Sequence, residues 1–318
     1  MSKGYLGIDV GSISTKGVVV DESYRVLASQ YLRTQGSPVS SIKRLLSELG
    51  TMLDSGVEVA GAGTTGSARR LAGVIVQADI VKNEIIAHAV AAGYFHPEAK
   101  TVLEIGGQDS KIIILRDGIP VDFAMNTVCA AGTGSFLDHQ ATRLSVPIEE
   151  FGGLALKARN RVNIAGRCTV FAESDMIHKA QLGIAAEDII AGLCDAIVRN
   201  YMNTVARGKD IQPTILFQGG VAANVGVRDA FERQLKHKVV VPEQFLVMGA
   251  LGAAILAREE TKGESTKFAG FGTAQVQFAT RAFECDGCPN QCEVIETLRE
   301  DKVIDRYGDR CGKWSQLG

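Results

Sequence analysis

The sequence opens with Tyr5-Leu-Gly-Ile-Asp9-Val-Gly11-Ser-Ile-Ser-Thr15-Lys16-Gly-Val-Val-Val20, in which apolar β-branched runs flank a short polar turn. This pattern predicts a β-hairpin with a tight turn. A later stretch repeats it: Thr101-Val-Leu-Glu104-Ile-Gly106-Gly107-Gln108-Asp109-Ser110-Lys111-Ile-Ile-Ile-Leu115. Aligned without gaps, the two share four matched positions: Asp9 and Glu104, Gly11 and Gly106, Thr15 and Ser110, Lys16 and Lys111. An internal duplication is the simplest interpretation, and two such turns could clamp a polyphosphate between them through backbone N–H groups.

Length and composition limit the class of protein. The chain has 318 residues, 46% of them hydrophobic and 22% charged, which is typical of a globular protein of about two domains rather than a disordered one. The net charge of -2 and the lack of a long basic run do not favour a nucleic-acid partner. The longest apolar run, 245–257, is interrupted by glycines and shorter than the roughly 20 residues of a membrane span. The N-terminus lacks an apolar signal core, so we expect a cytoplasmic protein that does not enter a membrane.

The rest of the chain alternates β and α patterns. Apolar residues at helical spacing predict helices over 40–53, 131–144, 170–182 and 187–207. The stretch Pro213-Thr-Ile-Leu-Phe-Gln218-Gly219-Gly220-Val-Ala-Ala-Asn224 predicts a strand, a glycine turn and a helix. After Arg258 the composition becomes polar, which indicates the start of a different unit.

The paired hairpins together with Gln218-Gly219-Gly220 resemble the phosphate and adenosine loops of the actin, sugar kinase and Hsp70 ATPase superfamily. The P-loop motif Gly-x4-Gly-Lys-Ser/Thr is missing, and two ordinary glycine hairpins are the plain alternative. The resemblance implies an α/β fold of duplicated actin-like (ribonuclease H-like) ATPase domains with a small Cys-rich C-terminal appendage. We expect domain I at 1–100, domain II, which contains Cys129 and Cys168, at 101–258, and the appendage at 259–318.

The resemblance also implies roles for residues in these loops. Asp9 and Glu104 suit a hydrated Mg²⁺ and a water for in-line attack, because Mg²⁺ prefers a few carboxylates and keeps most of its waters. Gln108 and Asp109 are further candidates for positioning that water. The residues expected to bind ATP or ADP are Gly11, Ser12, Thr15, Lys16, Gly106, Gly107, Asp109, Gly132, Thr133, Gly134, Gln218, Gly219, Gly220 and Asn224.

A dinucleotide-binding fingerprint, Gly-x-Gly-x-x-Gly, occurs at 61–66 after a predicted strand. It lies in the middle of a β/α region rather than in its first unit, and the helix expected after it, 68–72, is short. We therefore interpret this match as a coincidence and do not predict a nicotinamide cofactor.

Seven cysteines are a large number for a protein expected in the cytosol, where patterned cysteines more often bind metal than form disulfides. Cys129 and Cys168 each stand just before a predicted helix, whose N-terminus favours a thiolate and an anionic cluster bound to it. Two cysteines cannot complete a four-thiolate site, but two chains related by a two-fold axis can. We predict one [4Fe–4S] cluster shared across a homodimer; buried, unreactive thiols are the alternative.

The segments Asn126-Thr-Val-Cys129-Ala-Ala-Gly132-Thr133-Gly134 and Gly166-Arg-Cys168-Thr-Val-Phe-Ala-Glu-Ser-Asp175 are similar to the activators of 2-hydroxyacyl-CoA dehydratases and the ATPase subunits of benzoyl-CoA reductases. The resemblance spans residues 1 to about 258. It implies an ATPase that takes an electron from ferredoxin or flavodoxin and, with ATP hydrolysis, passes it at low potential to an iron–sulfur acceptor. The acceptors implied are a 2-hydroxyacyl-CoA dehydratase, a benzoyl-CoA reductase or a double-cubane-cluster protein.

The remaining cysteines divide into two groups. Cys194 lies in the apolar stripe of a predicted helix, which indicates a core position. The tail carries Cys285, Cys288, Cys292 and Cys311, whose Cys-x2-Cys start is typical of a thiolate site for structural Zn²⁺ or a second iron–sulfur centre. The spacing alone does not choose the metal, and a tail without metal is a further alternative.

Two other functions are compatible with the superfamily, since a fold does not determine a function. One is a small-molecule kinase, such as a sugar kinase, in which Cys129 and Cys168 are structural. The other is a nucleotide-gated regulatory or chaperone-like module without redox chemistry. Bound iron that depends on Cys129 would separate the electron-transfer hypothesis from both.

Overall fold

The computed structural model describes residues 2–315, and the chain forms two compact units. Unit 1 comprises Met1–Ala87 and Gly249–Gly318, and unit 2 comprises His88–Met248. These divisions differ from the predicted boundaries at residues 100 and 258. The C-terminal extension is part of unit 1, rather than a separate appendage, and so is most of the helix that precedes it.

The predicted hairpins and helices form in the predicted order, among further strands and helices that the sequence did not predict. The strands are β1 Ser2–Val10, β2 Ser14–Val20, β3 Val26–Arg33, β4 Val57–Thr65, β5 Ile80–Val81, β6 Thr101–Ile105, β7 Ser110–Arg116, β8 Ile119–Asn126, β9 Ile215–Gln218, β10 Val239–Val240, β11 Phe278–Glu284, β12 Glu293–Arg299 and β13 Lys302–Tyr307. The α-helices are α1 Pro38–Met52, α2 Arg69–Val76, α3 Glu84–Phe95, α4 Gly134–Arg143, α5 Ile148–Ala155, α6 Thr169–Gln181, α7 Ala186–Thr204, α8 Val225–Leu235 and α9 Met248–Thr261.

Each unit is built on a five-stranded mixed sheet, and the two sheets have the same topology. The order is β3-β2-β1-β4-β5 in unit 1 and β8-β7-β6-β9-β10 in unit 2. In both, the first three strands of the unit pair antiparallel and the last two join in parallel. This correspondence supports the internal duplication that the repeated sequence suggests.

The repeated motif takes the same place in both sheets. Asp9 lies opposite Lys16 across the β1–β2 hairpin, and Glu104 lies opposite Lys111 across the β6–β7 hairpin. Cross-strand partners have neighbouring side chains on one face, so each hairpin brings an acid and a lysine together. The gapless alignment of the two sequences is therefore matched by the strand register.

The fingerprint at 61–66 has a structural explanation. Its first five residues belong to β4, which continues to Thr65 instead of ending at residue 60. A Cβ on Gly63 would lie 2.2 Å from the carbonyl oxygen of Ala253, and one on Gly7 would lie 1.9 Å from that of Ala250. A Cβ on Gly61 would lie 3.1 Å from the carbonyl oxygen of Ala257. The first two glycines of the fingerprint, together with Gly7, thus let α9 pack directly on the sheet of unit 1.

The core of unit 2 lies between its sheet and helices α4 to α8. Tyr201, Phe217 and Phe231 form two edge-to-face pairs with ring centroids 5.2 Å apart. The helix predicted over 131–144 is divided into a 3₁₀ turn, Ala130–Gly132, and α4, because Thr133 adopts an extended backbone conformation. None of the helices within residues 2–315 is long and apolar enough to cross a bilayer.

The C-terminal extension folds into a three-stranded antiparallel sheet, β11-β12-β13, for which the sequence analysis made no prediction. Arg70 of α2 donates two hydrogen bonds of 3.2 Å to the carboxylate of Asp305. The same guanidinium lies 5.1 Å from the ring centroid of Tyr307. These contacts attach the small sheet to the rest of unit 1.

Candidate functional site

The turn between β1 and β2 places an acid and a lysine beside a tight backbone bend. The N–H of Gly11 donates to the carbonyl of Ser14 at 2.9 Å, which closes the turn. Lys16 Nζ lies 3.0 Å from Asp9 Oδ2, and both side chains are largely buried. Gly66 has a φ of +91°, and a Cβ there would lie 2.5 Å from Asp9 Oδ1. A glycine at position 66 is therefore needed for the chain to pass the carboxylate.

Thr15 has a structural environment in this turn. Its hydroxyl is buried and forms a 3.0 Å hydrogen bond with that of Thr34. Thr34 also donates to the carbonyl of Gly11 at 2.9 Å. The Thr15 hydroxyl thus supports the shape of the turn between β1 and β2. Direct contact of this hydroxyl with a phosphate stays a prediction.

The equivalent turn in unit 2 carries a buried charge cluster. Lys111 Nζ lies 2.9 Å from both Glu104 Oε2 and Asp109 Oδ2, and Lys111 and Glu104 are buried. Burial opposes the charge on the ammonium, but the attraction of Glu104 and Asp109 outweighs it, and the pKa of Lys111 is raised. The lysine therefore stays protonated at physiological pH. It neutralises and orients the carboxylate of Glu104.

The strand next to β6 brings the predicted adenosine loop against the same carboxylate. Glu104 pairs with Gln218 of β9 in the parallel ladder. Gly219 has a φ of +85°, and a Cβ there would lie 2.6 Å from Glu104 Oε1 and 2.4 Å from the carbonyl of Ile105. His88 Nδ1 and Gln218 Oε1 are 2.8 Å apart, both residues being buried. The structure thus brings Glu104, Gln218 and Gly219 together, and their contacts with a nucleotide stay predictions.

Several buried polar atoms near the turns have no protein partner within residues 2–315: Thr65 Oγ1, Ser110 Oγ and Gln218 Nε2. Thr65 lies opposite Asp9 in the β1–β4 ladder, Ser110 begins the strand after the second turn, and Gln218 neighbours Glu104. Buried polar groups are nearly always hydrogen-bonded, so such atoms indicate bound water or ligand. The residues of both turns fit a hydrated metal ion and phosphate groups.

The turn between β6 and β7, residues 106–109, is the predicted phosphate turn of unit 2 and is hydrogen-bonded to the start of α4. The N–H of Gly134 donates to the carbonyl of Gly106, and that of Ser135 donates to the carbonyl of Gly107, both at 2.8 Å. The Ser135 hydroxyl adds a 2.5 Å bond to the carbonyl of Gly107. The approach is close, since a Cβ on Gly134 would lie 3.0 Å from the Gly106 oxygen. Contact of Gly134 with a nucleotide stays a prediction.

The Cys129 loop, residues 126–134, connects to the same turn at both of its ends. Asn126 lies opposite Ser110 in the β7–β8 ladder. Its Oδ1 accepts from the N–H of Cys129 at 3.0 Å, and its Nδ2 donates to the Cys129 carbonyl at 2.8 Å. Cys129 therefore lies between two attachments to the turn. On one side, Asn126 of β8 pairs with the first residue of β7, and on the other, the first residues of α4 are hydrogen-bonded to the turn.

Cys168 immediately precedes α6 and lies near the Cys129 loop. Asn200 of α7 donates to the carbonyl of Gly166 at 2.7 Å. A Cβ on Gly132 would lie 2.6 Å from Asn200 Oδ1. Both cysteine segments therefore pack against one asparagine. Asn126 and Asn200 were not predicted from the sequence. Asn126 has a signal in its position three residues before Cys129, where an Asx-type turn is common.

Both cysteines are partly exposed and have exposed apolar neighbours. Val128 is 97% exposed, and Val170 and Phe171 are each 66% exposed. Neither Cys129 nor Cys168 makes a side-chain cap on the helical turn that follows it. The N-terminal N–H groups of these turns are thus available to an anionic group bound by the thiols.

Other predicted site residues have local structural partners. Asn224 caps α8, since its Oδ1 accepts from the N–H groups of Gly226 at 3.0 Å and Val227 at 3.1 Å. Thr133 is buried and donates to the carbonyl of Ala130 at 2.8 Å. Ser12, Gln108 and Gly220 are exposed in their turns. Nucleotide contacts by these five residues stay predictions.

Cys194 is fully buried in α7, as predicted, and burial raises the pKa of its thiol to about 12.

In the tail, Cys285 is buried, Cys292 is partly exposed, and Cys288 and Cys311 are exposed. Across residues 2–315, no three His, Cys, Asp or Glu side chains converge in a way that would hold a metal ion.

Comparison with known proteins places the chain in a family. Residues 6–257 match the model of the BadF/BadG/BcrA/BcrD ATPase family. The chain belongs to this family. It is 36% identical over 261 residues to the (R)-2-hydroxyglutaryl-CoA dehydratase activating ATPase of Acidaminococcus fermentans, covering 81% of this chain and 98% of that protein. It is 34% identical over 273 residues to the 2-hydroxyisocaproyl-CoA dehydratase activator of Clostridioides difficile, covering 82% and 97%.

A solved structure of similar sequence confirms the fold of this family member. It is the activator of the 2-hydroxyisocaproyl-CoA dehydratase from Clostridium difficile with bound ADPNP, with a TM-score of 0.75 and 33% identity over 81% of this chain and 96% of that one. The mixed α/β fold with two sheets is thus the actin-like ATPase fold. The family match ends at residue 257, before the sheet β11–β13.

Proposed function

We propose that this protein is an ATP-driven electron-transfer activator: a homodimer that holds one [4Fe–4S] cluster through Cys129 and Cys168 of each copy. It would use ATP hydrolysis to deliver a low-potential electron to an iron–sulfur partner enzyme, with ferredoxin or flavodoxin as the electron donor. The family membership supports the ATPase activity, and the names of the relatives support a dehydratase or a related reductase as the partner.

One observation carries the proposal: the phosphate turn and the Cys129 loop are connected twice. The turn bonds to Gly134 and Ser135 on one side of the loop, and Ser110, just after the turn, pairs with Asn126 on the other. A displacement of the turn, such as one caused by the loss of a phosphate, is therefore transmitted to both ends of the loop. An ordinary kinase needs no such connection to a partly exposed thiol.

The residues of the turns suit nucleotide hydrolysis. Glu104 is buried, paired with Lys111 and next to the glycine turn, where it can orient a water toward a phosphate. Asp9 has the same relation to Lys16, so either carboxylate could also contact the hydration shell of Mg²⁺. The exposed Gln108 is close enough in sequence to assist Glu104.

The two cysteine segments fit half of a four-thiolate cluster. Both thiols are partly exposed, precede helical turns and lie on segments that Asn200 holds together. A cluster bound there supplies a centre that accepts and gives up single electrons at low potential. The exposed side chains of Val128, Val170 and Phe171 would be covered by the second copy, because a two-fold axis at the cluster places the same surface on both partners.

Two variants separate the nucleotide function from the redox function. Glu104→Gln should lower ATP turnover by more than about 100-fold, since it removes a group that orients the attacking water, and should leave iron content and reduction by dithionite unchanged. Cys168→Ser should abolish the dithionite-reducible absorption and leave ATP binding intact. A wild-type protein that phosphorylates a sugar and shows no reducible iron would instead favour the kinase alternative. ATP turnover stimulated by a partner without electron delivery would favour the regulatory module.

A further inference from the structure

The hairpin formed by β11 and β12 brings two tail cysteines together. Glu284 pairs with Glu293, and one step further the N–H of Cys285 donates to the carbonyl of Cys292 at 2.9 Å. Cysteines directly opposite in an antiparallel ladder have side chains on the same face, with Cβ atoms about 4.5–5.5 Å apart. Cys288 lies in the connection between them. Three of the four tail thiols are thus at one end of this sheet.

The sulfur of Cys285 has the environment of a thiolate ligand. It accepts hydrogen bonds from Trp314 Nε1 at 3.2 Å and from the N–H of Gly287 at 3.4 Å. A Cβ on Gly287 would lie 3.2 Å from Lys313 Nζ, so an ammonium group is also close. N–H groups and a cation around a sulfur stabilise its negative charge and are typical of the shell around metal-bound thiolates.

The segment that carries Cys311 is fixed at the same end of the sheet. The Trp314 ring packs edge-on against Phe283 with centroids 5.0 Å apart, and its backbone N–H donates to Asp309 at 2.8 Å. The guanidinium of Arg306 lies 5.5 Å from the centroid of the Trp314 ring. Cys311, three residues before Trp314, therefore belongs to a segment whose tryptophan contacts Cys285.

The small sheet has little apolar core of its own. Among the described residues of 278–315, the buried apolar side chains are Cys285, Val294 and Leu298. Strand β11 is exposed over most of its length. Small domains with so few buried apolar residues generally need a disulfide or a metal ion for stability.

We propose that Cys285, Cys288, Cys292 and Cys311 bind one Zn²⁺ ion, which stabilises the C-terminal sheet independently of the nucleotide site. Zn–S bonds of about 2.3 Å place the sulfurs of a tetrahedral site about 3.8 Å apart, a separation that facing cysteines in a hairpin can reach. The described side chains do not converge on a common point in this structure, and the exposed Cys288 and Cys311 have to turn toward Cys285. Binding therefore closes the site, as is usual where metal binding is coupled to folding.

The test is metal analysis of the full-length protein purified without oxygen, together with Co²⁺ titration of the zinc-free form. We expect one zinc per chain and a Co²⁺ spectrum with the intense thiolate charge-transfer bands of a tetrahedral site. Cys288→Ser and Cys311→Ser should remove the zinc and leave the iron bound by Cys129 and Cys168 unchanged. Cys194→Ala, a buried cysteine of unit 2, is the control and should keep the zinc.

A second variant tests the positioning of the sulfur. Trp314→Phe keeps an aromatic ring against Phe283 but removes the N–H donor, and should weaken Zn²⁺ binding by roughly 10–100-fold. Wild-type protein that binds neither zinc nor Co²⁺, or that keeps its zinc in both Cys288→Ser and Cys311→Ser, would overturn the proposal. Iron lost from the Cys288→Ser variant in place of zinc, or a Cys285–Cys292 disulfide in protein purified under reducing conditions, would also overturn it. If a serine variant fails to fold, the Co²⁺ spectrum of the wild-type protein decides.

Discussion

Gly219 is the residue whose replacement most directly tests the geometry around Glu104. It adopts φ +85° and ψ 172° at the start of a 3₁₀ turn, and a Cβ would lie 2.6 Å from Glu104 Oε1. Gly219→Ala should therefore reduce ATP turnover by more than about 100-fold, because both the turn and the carboxylate must shift. The measurement is steady-state ATP hydrolysis alongside thermal unfolding.

Gly270 offers a matched control for that variant. It has φ +82° and ψ 162° and also precedes a 3₁₀ turn, and within residues 2–315 only its chain neighbours have heavy atoms within 4 Å of its Cβ position. Gly270→Ala should cost about 1–3 kcal/mol of stability from backbone strain and leave ATP turnover unchanged. Equal turnover in both variants would contradict the assignment of Gly219 to the nucleotide site.

Cys194 allows a prediction about pH. Burial raises the pKa of its thiol to about 12, whereas the unfolded chain should have the ordinary value near 9.0. The native state thus keeps a proton that the unfolded state loses, so this group's contribution to stability is complete below about pH 9 and declines as the pH rises further. At pH 8 a thiol reagent should label Cys194 only after denaturation. Labelling of Cys194 in the native protein, located by mass spectrometry, would contradict this.

At the residue scale, the sequence indicated which residue types lie in the turns but not which hydrogen-bond partners their side chains have. The repeated motif singled out the two acids and the two lysines but did not predict their pairing, which follows from the hairpin register that determines which residues face each other. The partners of Thr15 and Asn224 were not evident, since Thr34 and the N–H groups of α8 come from local geometry that spacing does not encode. Asn200 was missed because it acts through tertiary contacts from a helix far along the chain.

At the scale of elements, the connection between the phosphate turn and α4 is the feature to test. Ser135→Ala removes the hydroxyl bond to Gly107 but keeps the backbone bond, and should weaken the coupling by about 1 kcal/mol, roughly fivefold in an equilibrium constant. We expect a smaller effect of ATP on the rate at which a chelator removes iron, with ATP affinity nearly unchanged.

Ser174→Ala is the matched control for the coupling, since it removes a comparable 3.0 Å bond from a serine hydroxyl to the carbonyl of Val170 within α6. It should leave the effect of ATP on iron removal at the wild-type level. If Ser135→Ala behaves like Ser174→Ala, the hydroxyl of Ser135 has no part in the coupling.

Helices with a clear apolar periodicity were predicted well, whereas features that depend on contacts between distant segments were not. Helices α1, α6 and α7 begin and end within about three residues of the predicted limits. The glycines at 61–66 have a packing role that was not predicted, because it depends on α9, a helix that the apolar run 245–257 did not predict. The tail sheet was missed because its strands have little apolar alternation.

At the scale of the whole molecule, the proposed dimer predicts a specific sensitivity at the surface beside Cys168. Phe171 is 66% exposed, and Phe171→Glu would place two carboxylates near the two-fold axis and lose the burial of two aromatic rings. Each ring contributes about 1.5–3 kcal/mol, so the dissociation constant of the dimer should rise more than about 100-fold. Analytical ultracentrifugation measures the change.

Leu156→Glu provides the control for the dimer. Leu156 is 52% exposed and follows α5 rather than lying on α6. Its replacement should leave the association unchanged. A Phe171→Glu protein that associates as strongly as the Leu156→Glu protein would place the dimer contact elsewhere.

The most direct test of the proposed function is the iron content of the anaerobically reconstituted protein, measured per chain together with its mass in solution. A [4Fe–4S] cluster shared by two copies predicts about two iron atoms per chain in a dimer. Cys129→Ser and Cys168→Ser should each abolish this iron, while Cys194→Ala should retain it. Iron that is missing from the wild-type protein, or that persists in both the Cys129→Ser and the Cys168→Ser proteins, would contradict a shared cluster as the centre of electron transfer.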